Sequence, residues 1–61
     1  MIRHFEIPGK FSIDLHAVDL ATYDRDAEVI YVTWKDAKRA ISTIEATQED
    51  FTKLQAALVT R

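Results

Sequence analysis

The sequence predicts an α+β domain: an antiparallel β-meander of about four strands, in the order β-β-β-β-α, with one C-terminal helix packed on one face. Three observations predict it. Residues 29–34 are β-branched or aromatic without interruption, and Glu28 and Lys35 close the run with charge. The chain's one proline and one glycine stand together as Pro8-Gly9 between two apolar runs, so every other connection must be short. From Thr47 onward the apolar residues change from strand spacing to helical spacing.

The first strand is expected over residues 2–7. Pro8 presets φ for the first central position of a turn and Gly9 tolerates positive φ at the second. Phe11, Ile13 and Leu15 then alternate with Ser12 and Asp14. A loop of residues 8–10 sets Ile7 opposite Phe11 and Phe5 opposite Ile13, which leaves His4, Glu6, Ser12 and Asp14 on the other side. Past Leu15 the apolar positions become even-numbered, at Val18 and Leu20. That change of phase requires a bend or bulge near Ala17. Residues 11–22 are therefore expected as one long bent strand whose halves pair with different neighbours, or as two strands with a short break.

Residues 23–27 are polar and turn-like. Joining residue 22 to the strand at 28–35 sets Leu20 opposite Ile30, Val18 opposite Val32 and His16 opposite Trp34, with Ala17, Asp19, Ala21, Val29, Tyr31 and Thr33 on the far face. A turn at residues 35–38 leads to a strand over 39–46. Ile41 and Ile44 are three apart there and cannot both point inward. The helix is expected over 48–59. Thr47 supplies the N-cap and Asp50 the return half of a capping box, while Ala46 and Phe51 occupy the staple positions. Glu49 and Asp50 suit the positive helix end, Arg61 suits the negative end, and Glu49 pairs with Lys53 one turn on. Phe51, Leu54 and Leu58 form a stripe with Ala57 beside it. The expected core is Phe5, Ile13, Leu15, Val18, Leu20, Ile30, Val32, Trp34, Phe51, Leu54 and Leu58.

Sixty-one residues make one domain, residues 1–61, and a chain this short buries only about 60% of its unfolded surface. With no cysteine there is neither a disulfide nor a thiolate zinc site to reinforce the core. Two explanations remain: an economical core, or further burial by association with a second copy or a larger partner. Absence of cysteine fits a reducing, cytoplasmic setting. Arg3, Glu6, Lys10 and Asp14 interrupt any apolar run long enough for a signal peptide or membrane span. Ten acidic against eight basic residues, well mixed, imply no single-sign field.

Catalysis finds no support in the sequence. Ser12 and Ser42 lack a nucleophile-elbow context, one glycine cannot build a phosphate-cradling loop, and Asp24 and Asp26 read as turn formers. No cofactor and no metal site is expected. His4, Asp14 and His16 share a face and are the one set of donors that could approach a divalent ion, against the simpler reading of a solvated polar face. Two binding readings remain. The leading one is a small non-enzymatic interaction or regulatory module, self-associating or binding a larger protein through Val29, Tyr31, Thr33 and Ala21, with Ala17 and Ile41 at the margin. A tyrosine at the centre of a flat, sparsely charged patch suits an interface. The alternative is weak nucleic-acid binding through Lys35, Lys38 and Arg39 beside Trp34. Asp36 inside that cluster and the place of Trp34 on the core face count against it.

Overall fold

The computed structural model describes residues 3–61. It is an α+β fold with strands β1 (His4–Ile7), β2 (Phe11–Asp14), β3 (Val18–Asp24), β4 (Val29–Trp34) and β5 (Ser42–Glu45), followed by helix α1 (Gln48–Thr60). All pairing is antiparallel. β1 and β2 form a two-stranded sheet, and β3, β4 and β5 form a three-stranded one in sequence order. The expected first strand reaches back to residue 2, which lies outside the described residues.

The first hairpin has the expected register, with Ile7 opposite Phe11 and Phe5 opposite Ile13. Gly9 sits at φ 78°, and the Lys10 N–H donates to the Ile7 carbonyl at 2.9 Å, as a proline–glycine turn of this kind requires. The expected bend is a 3₁₀ turn at Leu15–Ala17, which divides the long second run into β2 and β3 and so makes two sheets of one meander. The carboxylate of Asp14 initiates that turn by accepting the His16 N–H at 2.9 Å. The ladders run almost unbroken through it. Leu15 N–H donates to the Arg3 carbonyl on one side, and Lys35 N–H donates to the Ala17 carbonyl on the other.

The second hairpin departs from the expected register. Tyr23, not Leu20, lies opposite Ile30; Ala21 lies opposite Val32; Val18 lies opposite Trp34. Two local features distinguish this hairpin: the later turn sets the three-residue shift, and a bulge keeps Val18 inward beyond it. A bulge between Val18 and Leu20 turns both Asp19 and Leu20 outward, so the inward set becomes Val18, Ala21 and Tyr23. The connection is also later than expected. β3 runs to Asp24, whose carboxylate caps the turn by accepting the N–H groups of Asp26 and Ala27, and Glu28 closes it at φ 55°. Leu20 is accordingly 57% exposed and leaves the expected core, while Ala21 is 3% exposed and joins it.

β5 is shorter than the expected 39–46 because residues 36–39 form a turn, closed by the Arg39 N–H on the Asp36 carbonyl. Ile44 lies opposite Ile30 and packs inward, and Ile41 stays outside at 63% exposure. The helix begins as expected. Thr47 and Asp50 exchange both bonds of the capping box, Ala46 is buried, and Phe51 stacks on Tyr23 with ring centroids 5.5 Å apart. The Tyr23 hydroxyl donates to the Ala46 carbonyl, which fixes the chain entering the helix.

One contiguous cluster forms the core. Ile13, Leu15, Val18, Ala21, Ile30, Val32, Ala46 and Leu54 are buried, with Phe5, Phe11, Tyr23, Trp34, Ile44, Phe51, Ala57 and Leu58 packed against them. Polar contacts clamp α1 at both ends. Near its N-terminus the Lys10 ammonium, from the first hairpin turn, reaches the buried Asp50 carboxylate at 2.6 Å. At its C-terminus the Arg61 guanidinium donates to the Leu15 and Val18 carbonyls at 2.8 and 2.6 Å, across the 3₁₀ turn. No helix among the described residues is long and apolar enough to cross a membrane.

Candidate interaction surface

α1 covers the side of the larger sheet that carries Ile30, Val32, Ala21 and Ile44. Alternation sends the remaining side chains to the opposite, uncovered side. The cross-strand partners arrange them in rows. Asp24, Val29 and Glu45 form one row, and Thr22, Tyr31 and Thr43 the next. Leu20 and Thr33 form a third, and Ile41 stands one position beyond the Val32–Ser42 pair, at the next place in the same alternation. Leu20, Tyr31 and Ile41 are exposed, so three of the four exposed large apolar side chains among the described residues belong to this one side. The fourth, Val59, is on the helix.

The surface is pre-ordered. The Tyr31 hydroxyl donates to the Asp24 carboxylate at 3.3 Å, diagonally across the strand pair, which orients the ring. The Thr33 hydroxyl donates to the Leu20 carbonyl at 3.2 Å. Asp24 thus serves two purposes, holding the turn with one oxygen and the tyrosine with the other. Charge is distributed unevenly along the strands. Around the β3–β4 turn lie Asp24, Asp26, Glu28 and Glu45 against Arg25. At the other end of the sheet lie Lys35, Lys38 and Arg39, tempered by Asp19 and Asp36.

Of the residues expected to form the interface, Val29, Tyr31 and Thr33 share the uncovered side. Val29 is buried, Thr33 is half-buried and Tyr31 is 37% exposed. Ala21 lies on the covered side, because the later turn sets it opposite the inward-facing Val32. Ala17 is half-buried in the 3₁₀ turn. Leu20 is the residue that the sequence pattern misassigns. No residue near Asp19 signals the bulge, and the even spacing of Val18 and Leu20 points inward.

The basic residues take different positions. Lys35 and Lys38 are exposed, whereas the Arg39 guanidinium lies 3.5 Å from the centroid of the Trp34 ring. That cation–π contact occupies a face of the indole that a base would need for stacking. The Trp34 indole N–H is also engaged, donating to the Ser42 hydroxyl at 3.1 Å. On the smaller sheet His4 lies opposite Asp14 as expected, but its Nε2 shares a 2.6 Å hydrogen bond with the Ser12 hydroxyl. Asp14 accepts the His16 N–H and lies 3.5 Å from the Arg3 guanidinium; these two contacts, in that order, hold its carboxyl below the usual range. No group of three metal-ligating side chains converges among the described residues.

An open depression of 740 Å³ lies between the first hairpin turn and β5. It is bordered by Gly9, Lys10 and Phe11 on one side and by Thr43, Ile44 and Glu45 on the other. Its ionisable groups are Glu28 and Glu45, both exposed, and Lys10, whose ammonium is held by Asp50. Comparison of the chain with protein-family models, with curated proteins and with solved structures returns no match.

Proposed function

We propose that this chain is a small non-enzymatic interaction module that binds a protein surface, its own or another's, through the uncovered side of the β3–β4–β5 sheet. The observation that carries the reading is the gathering of Leu20, Tyr31 and Ile41 on the one sheet face that the helix leaves open. Exposed apolar groups scattered singly are ordinary, but a group collected on a flat, rigid face and rimmed by charge has the form of an interface. Tyr31 supplies the aromatic anchor at its centre, already oriented by Asp24, so little side-chain freedom is lost on binding. Such a module works by occupancy: it covers or links surfaces, and its regulation is that of its partner.

Photocrosslinking tests the reading. A photoreactive phenylalanine analogue at position 31 should form discrete protein adducts in the cells that make the chain, including any adduct of two copies. The same group at position 55, exposed on the helix, serves as the control. Adduct formation at 31 no stronger than at 55 removes the proposal.

A further inference from the structure

We infer that the uncovered face pairs with a second copy of this chain, face to face, with the two-fold axis in the interface plane and perpendicular to the strands. This rests on the reading of that face as an interface and adds the partner and its orientation. The argument begins with charge. The β3–β4 turn end of the sheet is net acidic, with Asp24, Asp26, Glu28 and Glu45 against Arg25, while the far end is net basic, with Lys35, Lys38 and Arg39 against Asp19 and Asp36. Closed dimers use the same patch twice, so each row of one copy meets a row of the other set by the axis. An axis parallel to the strands would lay acidic end on acidic end. An axis perpendicular to them reverses the strand direction and lays the acidic end of each copy on the basic end of its partner.

The apolar groups fit the second arrangement when the axis passes between the Tyr31 and Thr33 rows. Tyr31 of each copy then meets the row holding Leu20, Thr33 and Ile41 in the other. Val29 then falls over Lys35 with Glu45 one strand to the side, and Asp24 falls toward the Asp19 end of the partner's β3. All three exposed apolar side chains of the face come together at the centre, with charge pairs outside them. Size sets the strength. Three strands at ~4.8 Å spacing and about five residues at ~3.3 Å rise give a face of roughly 14 by 17 Å. That is well short of the ~800 Å² per partner of a standard interface, so the dimer is weak and populates at high micromolar concentration or above.

Sedimentation equilibrium of the full 61-residue chain, from micromolar to millimolar concentration at low and high salt, reads the result. The wild type should dimerise reversibly and more weakly at high salt. Tyr31→Glu should weaken the dimer at least about tenfold, with Leu20→Thr as a milder second probe of the same face. Glu45→Lys and Lys35→Glu should each raise Kd roughly 3- to 30-fold, because symmetry presents each pair twice. The double reversal should return Kd to within about threefold of wild type. Circular dichroism confirms that each variant is folded. A dimer that Tyr31→Glu abolishes but the double reversal does not restore overturns the antiparallel arrangement while leaving the face as the interface. A chain monomeric at millimolar concentration overturns self-pairing; crosslinks at position 31 to a different protein would then preserve the face alone. A dimer indifferent to both Tyr31→Glu and Leu20→Thr overturns this inference and the reading on which it rests.

Discussion

Leu20→Thr and Ala21→Leu are substitutions at neighbouring positions of β3 that two registers rank in opposite order. In the bulged register Leu20 is 57% exposed. Full burial of a leucine is worth ~1.5–3 kcal/mol, and less than half of this side chain is withdrawn from water, so truncation should cost less than about 1 kcal/mol. The β-propensity of threonine offsets part of that. Ala21 is 3% exposed inside the cluster that the helix covers. Three added carbons there must displace packed neighbours, at a cost of ~1–3 kcal/mol. An unbroken alternation with Leu20 opposite Ile30 reverses both values: the leucine would lose a core site at ~2–5 kcal/mol, and the alanine would face water at almost no cost. Urea unfolding at low micromolar protein, followed by Trp34 fluorescence and far-ultraviolet dichroism, separates the cases. With a slope near 1 kcal/mol per molar urea, Ala21→Leu should lower the midpoint by about 1–3 M and Leu20→Thr by less than about 1 M. A larger loss from Leu20→Thr than from Ala21→Leu would refute the bulge at Asp19 and with it the composition of the open face.

Three further outcomes follow from the packing and the helix ends. Leu54→Ala, at a fully buried position, should cost ~2–5 kcal/mol. A chain of this length has only roughly 3–9 kcal/mol in total, so thermal unfolding should begin near room temperature. Thr47→Ala removes the acceptor for the Asp50 N–H and should cost ~1 kcal/mol in urea, while Thr47→Ser should retain nearly all of it. Asp50 has its pKa lowered by the Lys10 ammonium first and the Thr47 N–H second. A depressed carboxylate contributes stability that is complete above its unfolded value, ~3.9, and is lost as pH falls through the folded value. Asp14 acts in the same direction. The melting temperature should therefore decline as pH falls from about 5 downward, and Asp50→Asn should lower it at neutral pH while flattening that acid limb. An acid limb of unchanged slope in Asp50→Asn would show that the Lys10–Asp50 contact does not govern it.

Much of the fold was legible in the sequence because its signals are local. Pro8-Gly9 dictates a turn by backbone geometry alone, and the first hairpin's register follows from it. Thr47 and Asp50 define the helix start through two hydrogen bonds within four residues. The change of phase after Leu15 correctly announced a bend, because an unbroken strand cannot reverse the side on which its apolar residues lie. What escaped was the second irregularity. A bulge at Asp19 has no residue signature of its own. The turn it accompanies hides too, because its left-handed position is filled by Glu28 and not by glycine or asparagine. The three-residue error in register came from treating residues 23–27 as the turn. Tyr23 is instead a core residue, stacked on Phe51 and bonded to Ala46, and that contact spans 23 residues or more in sequence.

The bulge also links folding to the proposed role of the sheet. If Asp19 were kept and alternation ran unbroken from an inward Val18, Leu20 would lie inward and Ala21 outward, giving a bulkier core under the helix and a blander open face. With the bulge, the small side chain of Ala21 faces the cluster that includes Leu54, Ala57 and Leu58 of α1, where close approach of helix and strand is needed. Leu20 is released to the row beside Tyr31, and the Thr33 hydroxyl bonds to the Leu20 carbonyl next to the irregular residue. The same insertion thus reduces volume on the covered side and adds an apolar group on the open one. A variant that deletes Asp19 should remove the bulge and leave simple alternation in place, with Val18 still opposite Trp34, Leu20 still opposite Thr33 and Ala21 still inward. It should keep both self-association and packing of the helix, because the sides of Leu20 and Ala21 are set from the turn end of the hairpin; loss of either in sedimentation or urea unfolding would refute that register.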